Sequence, residues 1–158
     1  MGKLLEFRPK DGRGPKDDDN LLDGLTGLAV VIEDLDTVSV ETGLNRTMLQ
    51  ALAERLLIEA QIPVVPLAAI GGDPQSAVLY IQIGAERSAS GEIAWLMSLQ
   101  VCENAVLVRD SDRRGGVATW TTNGVFSSSR TDFLRDVVEA VDEGIERLRA
   151  SFRVAEHA

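Results

Sequence analysis

The sequence predicts an α+β fold, a two-layer sandwich with two helices on one face of a four- or five-stranded, mostly antiparallel sheet. Two observations carry that expectation. Between Leu79 and Phe126, β-prone runs alternate with period two and are separated by Gly, Ser, Asn and Asp. On either side of this block lies a segment with helical period and a single apolar stripe. Two one-sided helices can cover one face of a sheet and leave the other to solvent or to a partner.

Each element has its own signal. Residues 1–24 hold Pro9, Pro15, Gly12, Gly14 and the run Asp17-Asp18-Asp19, and read as a flexible tail. Leu28-Ala-Val-Val-Ile32 is a short continuous apolar run, expected as a strand buried on both faces. Gly43 breaks the chain and Asn45 is an N-cap candidate. Met48, Leu49, Leu52, Leu56, Leu57 and Ala60 then recur as one helical stripe over 45–61, with Pro63 as its stop. Val64-Val65 and Leu67–Ile70 suggest a second strand, irregular because of Pro66.

Leu79–Ile83, Ile93–Cys102, Ala105–Val108 and Ala118–Phe126 are the expected antiparallel strands. Ser129-Arg-Thr-Asp132 matches a capping box and opens a helix over 129–152. Its stripe includes Phe133, Val137, Val141, Ile145, Leu148 and Phe152. Gly144 falls on that stripe, where a helix could approach the sheet closely. Residues 25–153 form one domain, and 154–158 are expected to fray.

Composition narrows the chemistry. The 158 residues carry a net charge of −9. Phosphate binding needs clustered Lys and Arg, so a nucleic-acid partner is not expected, nor is membrane insertion. Cys102 is the one cysteine and lies in a strand pattern, as a buried inert thiol would. His157 is the one histidine and stands second from the end, so Ser-His-Asp, Cys-His and His-rich metal sites are not expected. The start has no apolar h-region, so a cytoplasmic location is expected as given, and a periplasmic one if a signal peptide has been removed. No catalytic residue, cofactor or metal ligand is expected.

The acidic turns offer an alternative. Glu33, Asp34 and Asp36 follow one strand, and Asp110-Ser-Asp112 stands beside Arg113 and Arg114. If they converged, they could hold Mg²⁺ for a small metal-dependent phosphohydrolase. Solvated turns explain them more simply, because Asp and Ser bond locally to their own backbone. Gly71-Gly72-Asp73 lacks the spacing of a phosphate loop and reads as a turn.

The pattern as a whole resembles an uncharacterised bacterial α/β family. The residues that carry the likeness are Val31-Ile-Glu-Asp-Leu-Asp36, Gly43-Leu44, Leu49-Gln50, Ala60-Gln-Ile-Pro-Val64, Leu79-Tyr-Ile-Gln-Ile83, Met97-Ser-Leu-Gln-Val101, Ala118-Thr-Trp-Thr121 and Val137-Val-Glu-Ala-Val-Asp-Glu143. Together they span about residues 27–152. Their order is similar to the small domains of bacterial envelope lipoproteins, the penicillin-binding-protein activators and curli-export lipoproteins, and to the N-terminal domain of the Tol-Pal translocation protein. That resemblance implies a domain that contacts other proteins and has no catalytic residues.

The expected function is therefore a non-enzymatic interaction or scaffold domain, associating with a protein partner or a second copy through its sheet. Leu79, Ile81 and Ile83 share one strand face, and so do Ile93, Trp95, Met97, Leu99 and Val101. This bulkier set should meet the helices. The lighter face then carries Tyr80, Gln82, Leu96, Ser98 and Gln100, joined by Trp120 or a neighbour on the next strand, and these are the expected partner-binding residues. Aromatic and aliphatic anchors within a polar rim suit an interface.

Overall fold

The computed structural model describes residues 21–155, with side chains to Phe152. The Met1–Lys10 start, the Asp17–Asp19 run and His157 lie outside the described residues. Four strands form one sheet in the order β1-β2-β3-β4: β1 Gly27–Ile32, β2 Ser76–Arg87, β3 Ile93–Leu107 and β4 Asp110–Ser128. The β1–β2 pair is parallel, and β2–β3 and β3–β4 are antiparallel. Helices α1 Thr37–Glu41 and α2 Arg46–Glu59 make the crossover between β1 and β2. Helix α3 Phe133–Ala155 closes the described chain. The α+β class and the packing of helices against the sheet are as the sequence predicts.

Register sorts the side chains into two faces. Directly paired residues share a face. Leu28, Val30 and Ile32 align with Ala77, Leu79 and Ile81, which align in turn with Leu99 and Val101. The β3 members Ile93, Trp95, Met97, Leu99 and Val101 are all buried, none more than 4 % exposed. Against this face α2 sets Leu49, Ala53 and Leu57 beside β1, and α3 sets Phe133, Val137, Val141, Ile145 and Leu148 beside β3 and β4. Each fully buried side chain of this size contributes about 1.5–3 kcal/mol. The core reaches back to Leu22, which is 1 % exposed. Met48, expected in the α2 stripe, is exposed, and Leu52 and Leu56 are half-buried at its margin.

Caps set the helix ends. Asn45 accepts from the Met48 amide at 3.2 Å and starts α2 as expected. Its end is not set by Pro63. Gln61 adopts φ 63°, and its amide bonds Ile58 O while the Ile62 amide bonds Leu57 O. This is the two-bond left-handed termination, made here with Gln in place of the usual Gly. Helix α1 was not foreseen, because five residues rich in Thr and Val carry no helical period. It forms because Asp36 caps it and Gly43, at φ 101°, ends it in the same way as α2.

Two further expectations change. The strand expected over 64–70 is one bridge, Leu28 to Val64, followed by a 3-10 turn at Leu67–Ala69. Pro63 and Pro66 bracket the bridge and remove the donors a longer ladder needs. The separate strands expected at 93–102 and 105–108 are the single strand β3, and β4 is likewise continuous from Asp110. Glu103 and Asn104 interrupt the apolar pattern without interrupting the ladder, since they pair with Val117 and Gly116 beyond the first residues of β2. Asn104 is exposed there and Glu103 half-buried, so neither polar side chain is shut from water. The β3–β4 turn is Val108-Arg109, which makes 103–117 a projecting two-stranded arm.

A Cβ at Gly144 would lie 2.8 Å from Leu99 Cδ2, which accounts for glycine on the buried face of α3. Close approach here seats α3 over β3. Truncating Val141, 0 % exposed beside Gly144, to Ala is expected to lower stability by about 1–3 kcal/mol. Thermal melting should fall accordingly, and an unchanged midpoint would contradict the placement of α3.

Candidate protein-interaction face

The sheet face away from the helices is built from β2 and β3 by strict alternation. Tyr80 pairs with Gln100 and Gln82 with Ser98, so these four side chains stand together. Gly84 pairs with Leu96, and Leu96 pairs onward with Val125 of β4. Five of the expected partner-binding residues, Tyr80, Gln82, Leu96, Ser98 and Gln100, are thus brought onto one surface. A shallow depression of about 220 Å³ is lined by Glu33, Tyr80, Gln82, Ser98, Gln100 and Cys102.

Trp120 does not join them. It pairs with Val101 and lies on the helix side, half-buried against the core. The cause is a bulge. Cys102 pairs with Ala118 and Val101 with Trp120, leaving Thr119 as an extra residue that turns the following side chains over. The β4 residues on the open face are Thr121, Asn123 and Val125, paired with Gln100, Ser98 and Leu96. Finding them needs the turn at Val108-Arg109, the register shift between Val106 and Leu107 and the bulge at Thr119 together.

The face is almost free of charge. Glu33 lies at one end and Glu86, paired with Ala94, at another. Its centre holds a phenol, three carboxamides and hydroxyls. Ser98 is 9 % exposed, and its Oγ has no hydrogen-bond partner. An unsatisfied buried hydroxyl costs about 1–3 kcal/mol. Beside it Leu96 is 44 % and Val125 86 % exposed. Burial pushes the Cys102 thiol up from its ordinary value, so the thiol stays protonated and a poor nucleophile. At the other end the face is covered: Val78 and Ala29, on this side by register, are 7 % and 1 % exposed, and Ile70 lines a groove with Val78 and Tyr80.

The acidic turns do not converge. Asp36 accepts from the Ser39 amide at 2.8 Å, the Ser39 hydroxyl at 3.0 Å and the Ala85 amide at 2.9 Å. Asp34 pairs with Arg46 at 3.0 Å, and Asp110 with Arg113 at 3.2 Å. Ala85 pairs with Trp95 of β3, whereas Asp110 pairs with Leu107. Twelve residues of extended chain separate those rows, about 40 Å at the usual rise. Among the described residues, no three His, Cys, Asp or Glu side chains are placed to share a metal ion. Asp73 is occupied within its own turn, accepting from the Gln75 amide and the Ser76 hydroxyl, and those bonds, the hydroxyl's first, hold its carboxyl below the usual range.

Trp95 is a core residue. It stacks on Phe126 with centroids 4.2 Å apart and meets Phe133 edge-on at 5.7 Å. Its indole N–H donates to Ser128 Oγ at 2.9 Å, and Ser128 donates to Asp136 at 2.6 Å. The Ser128 hydroxyl is the main reason the Asp136 carboxyl lies below its ordinary value; partial burial opposes it, and Arg135 adds to it. Ser129 accepts from the Asp132 amide at 3.2 Å and closes the turn before α3, which begins at Phe133 and not at 129 as expected.

No family model matches the chain, and no curated protein does. Among solved structures, it is similar to a variant PelC dodecamer from Paraburkholderia phytofirmans, with 16 % identity, 77 % of this chain and 86 % of that chain covered, and a TM-score of 0.45. It is also similar to a minor lipoprotein from Acinetobacter baumannii, with 10 % identity, coverage of 84 % and 94 %, and a TM-score of 0.34. Among the described residues, no helix is long and apolar enough to cross a membrane.

Asp36 joins α1 to β2, so its loss should be felt in both. Burial raises its pKa, but the hydrogen bonds from Ser39 and Ala85 outweigh that and hold it below the ordinary value. A depressed carboxylate stabilises the fold above its unfolded pKa, and that contribution is lost as pH falls through the folded value. Asp36→Ala is expected to cost about 1–2 kcal/mol near neutrality from the cap alone. The gap in urea midpoint between the native and variant proteins should narrow below about pH 4. A gap constant from pH 7 to pH 3 would contradict the assigned role.

Proposed function

We propose that this is a non-enzymatic interaction or scaffold domain that works by holding other proteins against its sheet, a second copy of itself included. The observation that carries the reading is the open face itself. Its centre is uncharged, it exposes the Leu96–Val125 pair, and it leaves the buried Ser98 hydroxyl unpaired. Water can reach such a surface, and a partner laid over it would take the Leu96–Val125 pair out of water. Tyr80, Gln82 and Gln100 would provide the polar rim, and Leu96 the apolar anchor. The separation of Asp34 and Asp36 from Asp110 and Asp112 tells against the phosphohydrolase alternative.

Two measurements test this. The immobilised protein should retain a partner from extracts of its native host. Tyr80→Glu with Gln100→Glu should lose that partner while melting within a few degrees of the native protein. Equal capture by the folded variant would rule out the face. Sedimentation velocity should show concentration-dependent self-association, and a monomer at every accessible concentration would overturn that part of the reading.

A further inference from the structure

We infer that the open face holds an extended, basic polypeptide segment of another protein, laid along β3 from Ser98 to Asn104. The inference rests on the reading that the domain works by holding other proteins against its sheet. It names the kind of partner and leaves any self-association to another surface.

Three depressions on this face join into one trough. The first, about 220 Å³, shares Tyr80 and Cys102 with a second of about 190 Å³. The second shares Ile70, Ser76 and Asn104 with a third of about 280 Å³. Ser98 lines the first and Asn104 the third, so the trough follows β3 between them, about 20 Å at the usual rise. The turn at 70–74 walls its far end.

The floor suits the backbone of an extended chain. Ser98, Gln100, Cys102 and Asn104 turn to this side at every second residue of β3, and Gln82 and Tyr80 of β2 stand beside Ser98 and Gln100. Their spacing, about 6.6 Å, is the two-residue repeat of any extended strand. A carboxamide both donates and accepts, so Gln82, Gln100 and Asn104 can each meet a peptide group of a chain lying in the trough. One row past Ser98, Leu96 leans over Gly84, its Cγ 3.5 Å from where a Cβ would stand. An apolar residue at that end of the segment would cover it.

Charge sets the sign of the segment. Glu33 borders one end of the trough, and Asp73 and Glu103 the other. Arg114 is the one cation on its walls and stands a row further out, paired with Val106. Three carboxylates against one guanidinium leave a net −2 along the trough. Among the described residues, the Glu33 and Glu103 side chains have no basic partner, whereas Asp34 next to Glu33 is paired with Arg46. Lysine or arginine at two positions about six residues apart would answer both ends. A second copy, itself at −9, would set the same acidic borders against each other.

A displayed library of random peptides, selected on the full chain, tests the trough. Enriched peptides should carry Lys or Arg about six residues apart and little acid. Cys102 lies in the middle of the trough and is the one cysteine of the chain. Bound synthetic copies of the enriched peptides should slow its reaction with a thiol reagent at least tenfold. Glu33→Lys with Asn104→Lys, both exposed and one at each end, should raise the peptide dissociation constant tenfold or more with melting little changed. Peptides that bind without slowing Cys102, peptides with no cationic pattern, or no enriched peptide at all would overturn the basic segment. The interaction face itself would still stand if Tyr80→Glu with Gln100→Glu loses the host partner, and would fall with it if that variant keeps the partner.

Discussion

The alternation along β3 is the constraint on which the structure depends. Every second residue from Ile93 to Val101 is buried beneath the helices, and the residues between them look the other way. A slip of one residue would drive Trp95, Met97 and Leu99 into water and bring Ser98 and Gln100 into the core. The register is therefore fixed on both sides of β3 at once. Trp95 tightens it further, since its ring is held by Phe126 of β4 and Phe133 of α3, and its N–H ends on Ser128. The composition of the open face follows directly: it is whatever the alternation leaves behind.

Much of the fold was legible because it rests on long periodic patterns. Helices α2 and α3, the strand faces of β2 and β3, the Asn45 cap and the glycine at 144 are each written in spacing that burial enforces. Local devices were not. Helix α1 is little more than one turn long, too short to show a repeating stripe. The α2 terminus relies on Gln61 in a left-handed conformation, where glycine would have signalled the end. Pro66 marks an irregular strand in the sequence, but with Pro63 it reduces the pairing to a single bridge.

The candidate face was legible up to the first bulge. Tyr80, Gln82, Leu96, Ser98 and Gln100 follow from alternation on two strands and stand together. Trp120 does not, because Thr119 adds one residue and reverses the sides of β4. A bulge is a property of the pairing of two strands, so neither strand shows it alone. Asp36 shows the same limit. Its motif reads as a solvated turn, with metal chemistry as the alternative, and its actual partners are the first turn of α1 and a backbone amide 49 residues away.

The parallel β1–β2 pair has a consequence for how the chain reaches this state. The β3–β4 arm closes through a two-residue turn and needs only neighbouring sequence, so it can zip rapidly from its tip. Strand β1 joins β2 across the whole α1–α2 crossover, with Thr26 bonding Gln75. Closing a loop of that size is entropically slow relative to a hairpin. Until β1 docks, β2 is itself an apolar border strand, open to any other unfinished chain. The parallel junction is therefore the strand pairing with the longest loop to close, and the one on which covering this border of β2 depends.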